Sequence, residues 1–274
     1  MLFPGFPGIT HSLRQQWWAF LLIIYCNIVP APAQTGWSGV LSGVLKTGQA
    51  LTITDEQLAE MVRDAVEVMD NEHKVCAENN KYSKRLQKLT ASMADADGIE
   101  LNFKVYQTKE LNAFACPDGS VRVYSALMDI LSDDELLGVL GHEIGHVALR
   151  HSKRAWKWAL LRSAASDAIG AVSETWANLS ESMLGTICST ALTAKHSRYH
   201  ETEADDYGYD YLKECGRNPW AMGKAFIKLK ELSGQKNNSR IQQWLQAFSS
   251  HPDFDARIQQ MRQRAEEDGF VVRE

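Results

Sequence analysis

Two histidines and a glutamate stand at the spacing that metal-assisted hydrolysis requires. In Gly141-His142-Glu143-Ile144-Gly145-His146 the histidines are four residues apart, and on an α-helix that separation puts two side chains on one face, one turn apart. Imidazoles so placed can grip a single ion, and the glutamate between them falls beside it. The chemistry this predicts is hydrolysis at a zinc site. His142 and His146 are ligands, and Glu143 is the base that takes a proton from water activated at the metal.

A pentad this short could arise by chance, so its surroundings matter. Ser132 followed three residues later by Glu135 is a capping-box pattern, and Asp133 and Asp134 add negative charge to the first turn, where the helix dipole favours it. From there Leu136, Leu137, Val139, Leu140, Ile144, Val147 and Ala148 leave almost no polar face except the histidines and the glutamate. The pattern predicts a core helix carrying costly polar groups that need partners.

A catalytic zinc takes about three protein ligands and a water. The extended H-E-x-x-H-x-x-G-x-x-H pattern fails here, because Leu149 and Ser152 occupy the places of its Gly and third His, and His151 is one position off. A carboxylate from a second helix is the other common solution. In Glu201-Thr202-Glu203-Ala204-Asp205, Glu201 and Asp205 share a helical face. Glu201 can therefore bind the metal while Asp205 accepts a hydrogen bond from a ligand histidine and sets its tautomer, with Glu203 facing elsewhere. Taken alone, Glu201, Glu203, Asp205 and Asp206 read as a solvated acidic face; the upstream pentad is what promotes Glu201. His196 and His200, also four apart, are a rival pair, but no acid of the right kind lies between them and an exposed helix start is the simpler reading. Gly216 serves as the C′ residue of this helix, and Asn218 with Pro219 starts the next.

The positioning elements follow from periodicity. Thr54 with Gln57 makes another capping box ahead of Leu58, Met61, Val62, Ala65 and Met69; Tyr82, Leu86, Leu89 and Met93 mark a second helix ending near Gly98. Residues 101–106 and 120–124 are strand-like, separated by Pro117-Asp118-Gly119 turn chemistry, which implies a small antiparallel sheet. Residues 155–194 are helical in character but interrupted by Arg162, Asp167, Glu174 and Glu181, so a transmembrane hairpin is disfavoured and soluble helices covering the site are predicted. The fold class is α+β and mainly helical.

With 274 residues, 45% of them hydrophobic and 23% charged, the chain suits one catalytic domain, placed at 54–274. Its net charge of −5 argues against nucleic acid as a partner. Residues 1–33 read as a secretory signal: Arg14, an apolar run over 17–29, then Ala31-Pro32-Ala33 before cleavage. That predicts export to the periplasm or cell envelope. Cys26 invites lipidation, but Tyr25 stands where a lipobox wants a small residue. Cleavage after Ala33 is favoured over a lipid anchor or an uncleaved span. Residues 34–53 form a flexible leader. Cys76, Cys116, Cys188 and Cys215 then remain, with Cys76 and Cys116 the candidate bridge against four reduced thiols.

Ser132-Asp133-Asp134-Glu135, the run 141–151 and Glu201-Thr202-Glu203-Ala204-Asp205 together resemble the zinc metalloendopeptidases of the HtpX, BepA and LoiP type. Asn112-Ala113-Phe114-Ala115 and Val121-Arg122-Val123-Tyr124-Ser125 extend the likeness, most closely to LoiP-like members. The resemblance implies a zincin-type fold of the gluzincin class, with one Zn2+ held by His142, His146 and Glu201 and Glu143 as base. It also implies residence in the bacterial envelope, with misfolded or damaged proteins as substrates; outer-membrane association, known in LoiP-type members, is the lesser alternative given Tyr25. The late Ser250-His251-Pro252 with Arg257 resembles a family segment too. His251 is then either a removable fourth ligand that keeps the enzyme latent or a donor to the tetrahedral intermediate. By analogy with zincins, an edge strand beside the metal helix pairs with substrate, and Val121, Arg122 and Val123 are the candidates. The competing reading is a latent or chaperone-like envelope protein whose zinc site is gated by His251.

Overall fold

The computed structural model describes residues 53–165, 179–233 and 250–273, all within the unit Gly43–Glu274. The expected signal and the expected leader lie outside the described residues except for Ile53, which is buried in the core and so belongs to the folded part. Helix α1 (Asp55–Glu72) starts at Thr54, whose side chain and that of Gln57 cap each other's backbone, and it buries Leu58, Met61, Val62, Ala65 and Val66. Helix α2 (Lys81–Leu89) begins at an Asn80 cap and ends at Thr90, short of Gly98. Strands β1 (Asp95–Ala96) and β2 (Ile99–Glu100) follow as a hairpin, with Asp97 and Gly98 at φ 51° and 78°. A two-residue turn with both centres left-handed is what Asp-Gly favours, and it overrides the helical spacing.

Strands β3 (Asn102–Tyr106), β4 (Ala113–Ala115) and β5 (Ser120–Tyr124) form one sheet in the order β3-β5-β4. The Pro117-Asp118-Gly119 turn joins β4 to β5 antiparallel, whereas β3 and β5 run parallel with Asn102 opposite Ser120. The sheet is therefore mixed: three-residue β4 reverses the chain between the two strands that the sequence pattern had paired antiparallel. This also corrects the substrate strand. Val121, Arg122 and Val123 lie in the central strand, bonded on both sides and buried, so they have no free edge. Arg122 is occupied by Asp70 of α1, at 2.8 and 3.0 Å, and Tyr106 and Lys104 bond the same carboxylate.

Helix α3 (Ser125–Ile130) leads into α4 (Asp133–Ala148), which carries the pentad. Ser132 and Glu135 form the reciprocal cap, and Glu135 also receives Lys228 at 2.7 Å. Helices α5 (His151–Ala165), α6 (Glu181–Leu192), α7 (Arg198–Glu214), α8 (Trp220–Ser233) and α9 (Phe254–Glu267) complete a mainly helical α+β fold. Gly216, at φ 65°, ends α7, and Asn218 Oδ1 accepts from Trp220 N at 3.0 Å where α8 starts. No described helix is long and apolar enough to cross a membrane. The four described cysteines are free. Cys76 packs in one core cluster and Cys116 with Cys188 in another, so the candidate bridge is not formed.

The contact that matters most for the site is between α4 and α7, which meet backbone to backbone. A Cβ on Gly141 would lie 2.9 Å from the Gly208 Cα, and one on Gly208 would lie 2.8 Å from the His142 N. Neither distance is sterically allowed. Gly141→Ala should therefore destabilise the metal-free protein by about 1–3 kcal/mol through overpacking. Gly185→Ala in α6, where an added Cβ meets nothing within 4 Å, should instead be neutral or stabilising by up to about 1 kcal/mol. Urea unfolding of both variants checks the contrast; equal midpoints would refute the close-contact account.

Candidate metal centre

Helix α4 delivers His142, Glu143 and His146, all buried. Helix α7, capped by Ser197 through the His200 N–H, delivers Glu201 and Asp205 from its first two turns. His251 arrives from the segment before α9. One donor atom from each of His142, His146, Glu201 and His251 lies within 4.8 Å of the others.

The separations can be tested against a metal's demands. His142 Nε2 is 3.2 Å from both His146 Nε2 and His251 Nδ1. Glu201 carboxylate oxygens lie 3.6 Å from His142 Nε2, 3.5 Å from His146 Nε2 and 3.1 Å from His251 Nδ1. A tetrahedron with bonds of 2.0–2.1 Å has edges of about 3.3–3.4 Å, so these donors are spaced as a zinc-sized ion would hold them. Three imidazoles and a carboxylate are also a donor set that such an ion accepts.

A second layer orients the first. His142 Nδ1 meets Asp205 Oδ1 at 2.8 Å. Arg257 Nε and Nη2 donate to the two Asp205 oxygens at 2.7 and 2.6 Å. Its Nη1 lies 2.7 Å from Glu201 Oε2, an ion-pair contact whose angle is not that of a hydrogen bond. On the other side, His146 Nδ1 is 3.0 Å from His151 Nδ1, and His151 Nε2 is 3.2 Å from Glu203 Oε2. Glu203 thus faces the site's outer layer rather than elsewhere, and His151 serves there although it falls outside the extended motif. Nothing in helical spacing pointed to either.

His196 and His200 do not join the donor cluster. His196 stacks on the His146 ring at 4.0 Å and His200 on the His151 ring at 4.2 Å, both half-buried rather than exposed. Burial pushes His196 down to about 3 and His151 to about 4, so both are neutral near pH 7. Burial likewise raises the Glu143 carboxyl above its ordinary value, against the pull of nearby His251 and His142. For Glu201 burial is outweighed by His251, His146 and His142, which hold it far below the carboxylate range.

Beside the cluster is a cleft of about 310 Å³. Strand β4 lines it together with Trp156 and Leu192, and Glu143, His146 and His251 open onto it.

The sequence model of peptidase family M48 matches residues 80–265, a span that contains every residue of this cluster. The chain belongs to peptidase family M48. This M48 chain is 39% identical over 225 residues to metalloprotease YcaL of Escherichia coli (strain K12), covering 82% of the chain and 86% of that protein. It is 35% identical over 234 residues to metalloprotease LoiP of the same organism, covering 85% and 90%. A beta-barrel assembly-enhancing protease of Escherichia coli (strain K12) is 30% identical over 194 residues, 68% of this chain but 38% of that protein. Like other M48 members the chain is a metalloendopeptidase, and its substrates are polypeptides.

Proposed function

We propose that this M48 chain is a zinc-dependent endopeptidase of the bacterial envelope that cuts misfolded or damaged envelope proteins. The observation that carries the reading is the placement of Glu143 beside the four-donor cluster, with its carboxylate outside it. A structural zinc site has no use for such a carboxylate. Zinc held by His142, His146 and Glu201 supplies Lewis acidity, making water more acidic and a peptide carbonyl more electrophilic. Glu143 takes the proton of the attacking water and passes it to the leaving amine, a role suited to a carboxyl whose basicity burial has raised. Asp205, clamped by Arg257, keeps the proton of His142 on Nδ1 and its lone pair on Nε2.

Substrate binding falls to β4 rather than β5. Among the described residues Ala113–Ala115 pairs with β5 along one side only, and it lines the cleft beside Glu143 and His146. An extended chain can add to that edge through main-chain bonds, which discriminate weakly among side chains and suit unfolded substrates. Export is supported by the N-terminal charge and hydropathy pattern, with cleavage after Ala33 and no lipid on Cys26. The name of the beta-barrel assembly-enhancing relative ties that protein to β-barrel assembly, which is compatible with an envelope role here.

A second reading concerns the state of the site. His251 supplies a fourth donor atom beside those of His142, His146 and Glu201, and a zinc ion held by all four would have no protein-free position for water. His251 Nε2 also lies 3.8 Å from Glu143 Oε1. This arrangement is a latent enzyme from which His251 must withdraw.

Glu143→Gln should lower casein cleavage by about 10²–10⁴-fold while metal analysis still finds one zinc per chain; undiminished cleavage by the purified variant would sink the base assignment. For latency, His251→Ala should raise casein turnover, and unchanged or lower turnover removes the gate. N-terminal sequencing of the exported chain should begin at Gln34; a lipidated start at Cys26 or a retained Met1 overturns the processing proposed.

A further inference from the structure

The two α4 ligands are held by unlike outer layers, and only that of His142 is the familiar carboxylate–histidine pair. The proton positions in the other follow from its partners. Glu203 is a carboxylate and accepts, so the His151 nitrogen facing it, Nε2, carries the hydrogen at 3.2 Å. A neutral His151 then presents a lone pair at Nδ1. The hydrogen in the 3.0 Å contact between His151 Nδ1 and His146 Nδ1 must belong to His146. That leaves His146 Nε2 bare, facing His142 and Glu201.

The geometry points to His151 and Glu203 as a positioning relay that sets the tautomer of His146 and aims its Nε2 at the metal. The proposal rests on the metal reading above and deepens it. His151 has a side chain 1% exposed, and its two ring nitrogens are spent on these two partners. Its position also requires a special backbone. At 100° per residue, side chains five apart on one unbroken helix point about 140° away from each other. His146 and His151 meet because Arg150 breaks the helix in the left-handed region, at φ 63°, so that α5 restarts at His151. A residue with a Cβ is strained in that region. Arg150 is held by Asp97, 3.0 Å away in the β1–β2 turn.

The test uses the full mature chain and zinc itself, with affinity measured by chelator competition. His151→Phe and Glu203→Ala should each lose about 10–100-fold in zinc affinity. Glu203→Gln, whose amide oxygen still accepts from His151, should recover most of that loss. The double variant should bind no worse than His151→Phe alone, because both residues act through one hydrogen bond. Glu203 is partly exposed, so its variants keep the test open if His151→Phe fails to fold. A merely structural role would shift the urea midpoint of the metal-free protein and leave affinity alone; the relay predicts the reverse for Glu203→Ala. Nitrogen-15 spectra of the metal-free chain should show His146 as the single Nδ1–H tautomer, and a mixture in Glu203→Ala. If the natural chain binds no zinc, the metal reading fails. If it binds zinc and Glu203→Ala binds it equally, or the two losses add, the relay fails.

Discussion

The site exists because two helices touch through their backbones. Helices α4 and α7 can bring His142, His146 and Glu201 together only if no side chain separates them, and Gly141 against Gly208 removes the obstacle. Ala204 and Tyr207 approach Gly145 on the same seam. This brings the first turns of α7 within bonding distance of two imidazoles on α4. Ordinary helix packing at 8–10 Å between axes, set by larger side chains, would leave Glu201 short of the cluster. The position of each donor is thus inherited from a steric fact at the backbone beside His142.

That closeness creates an electrostatic problem, since Glu201, Asp205 and Glu143 are all buried within one small volume. Burying an ion costs several kcal/mol unless it is paired. Arg257 answers part of the demand, binding Asp205 through two nitrogens and contacting Glu201 with the third. Its guanidinium lies over the Phe226 and Phe254 rings at 4.6 and 5.3 Å, which shield the cluster on that side. The remaining negative charge and the converging lone pairs call for a cation. The residues that would bind the metal are therefore held by one another and by Arg257.

Helical periodicity carried most of what was legible in the sequence. It placed His142, Glu143 and His146 on one turn and put Glu201 and Asp205 on one face, and the structure brings these residues together. The close approach at Gly138, Gly141 and Gly145 comes only from the structure. Other features had no local signature. Alternation marks residues 120–124 as a strand but cannot say whether that strand is central, and three-residue β4 is too short to show a period. His151 and Glu203 depend on a left-handed arginine, a conformation that residue type does not announce. The Asp97-Gly98 turn was readable, but the apolar spacing through Met93 masked it.

Strand β4 has a further implication. A sheet edge that accepts nearly any extended backbone would equally accept a neighbouring molecule's strand, which is how many proteins begin to aggregate. Here Ala113, Phe114 and Ala115 are only 5–9% exposed and line the cleft together with Trp156 and Leu192. An edge so enclosed offers little exposed backbone to the strand of another folded molecule. The enclosure of this edge therefore counters strand-to-strand association between neighbouring molecules.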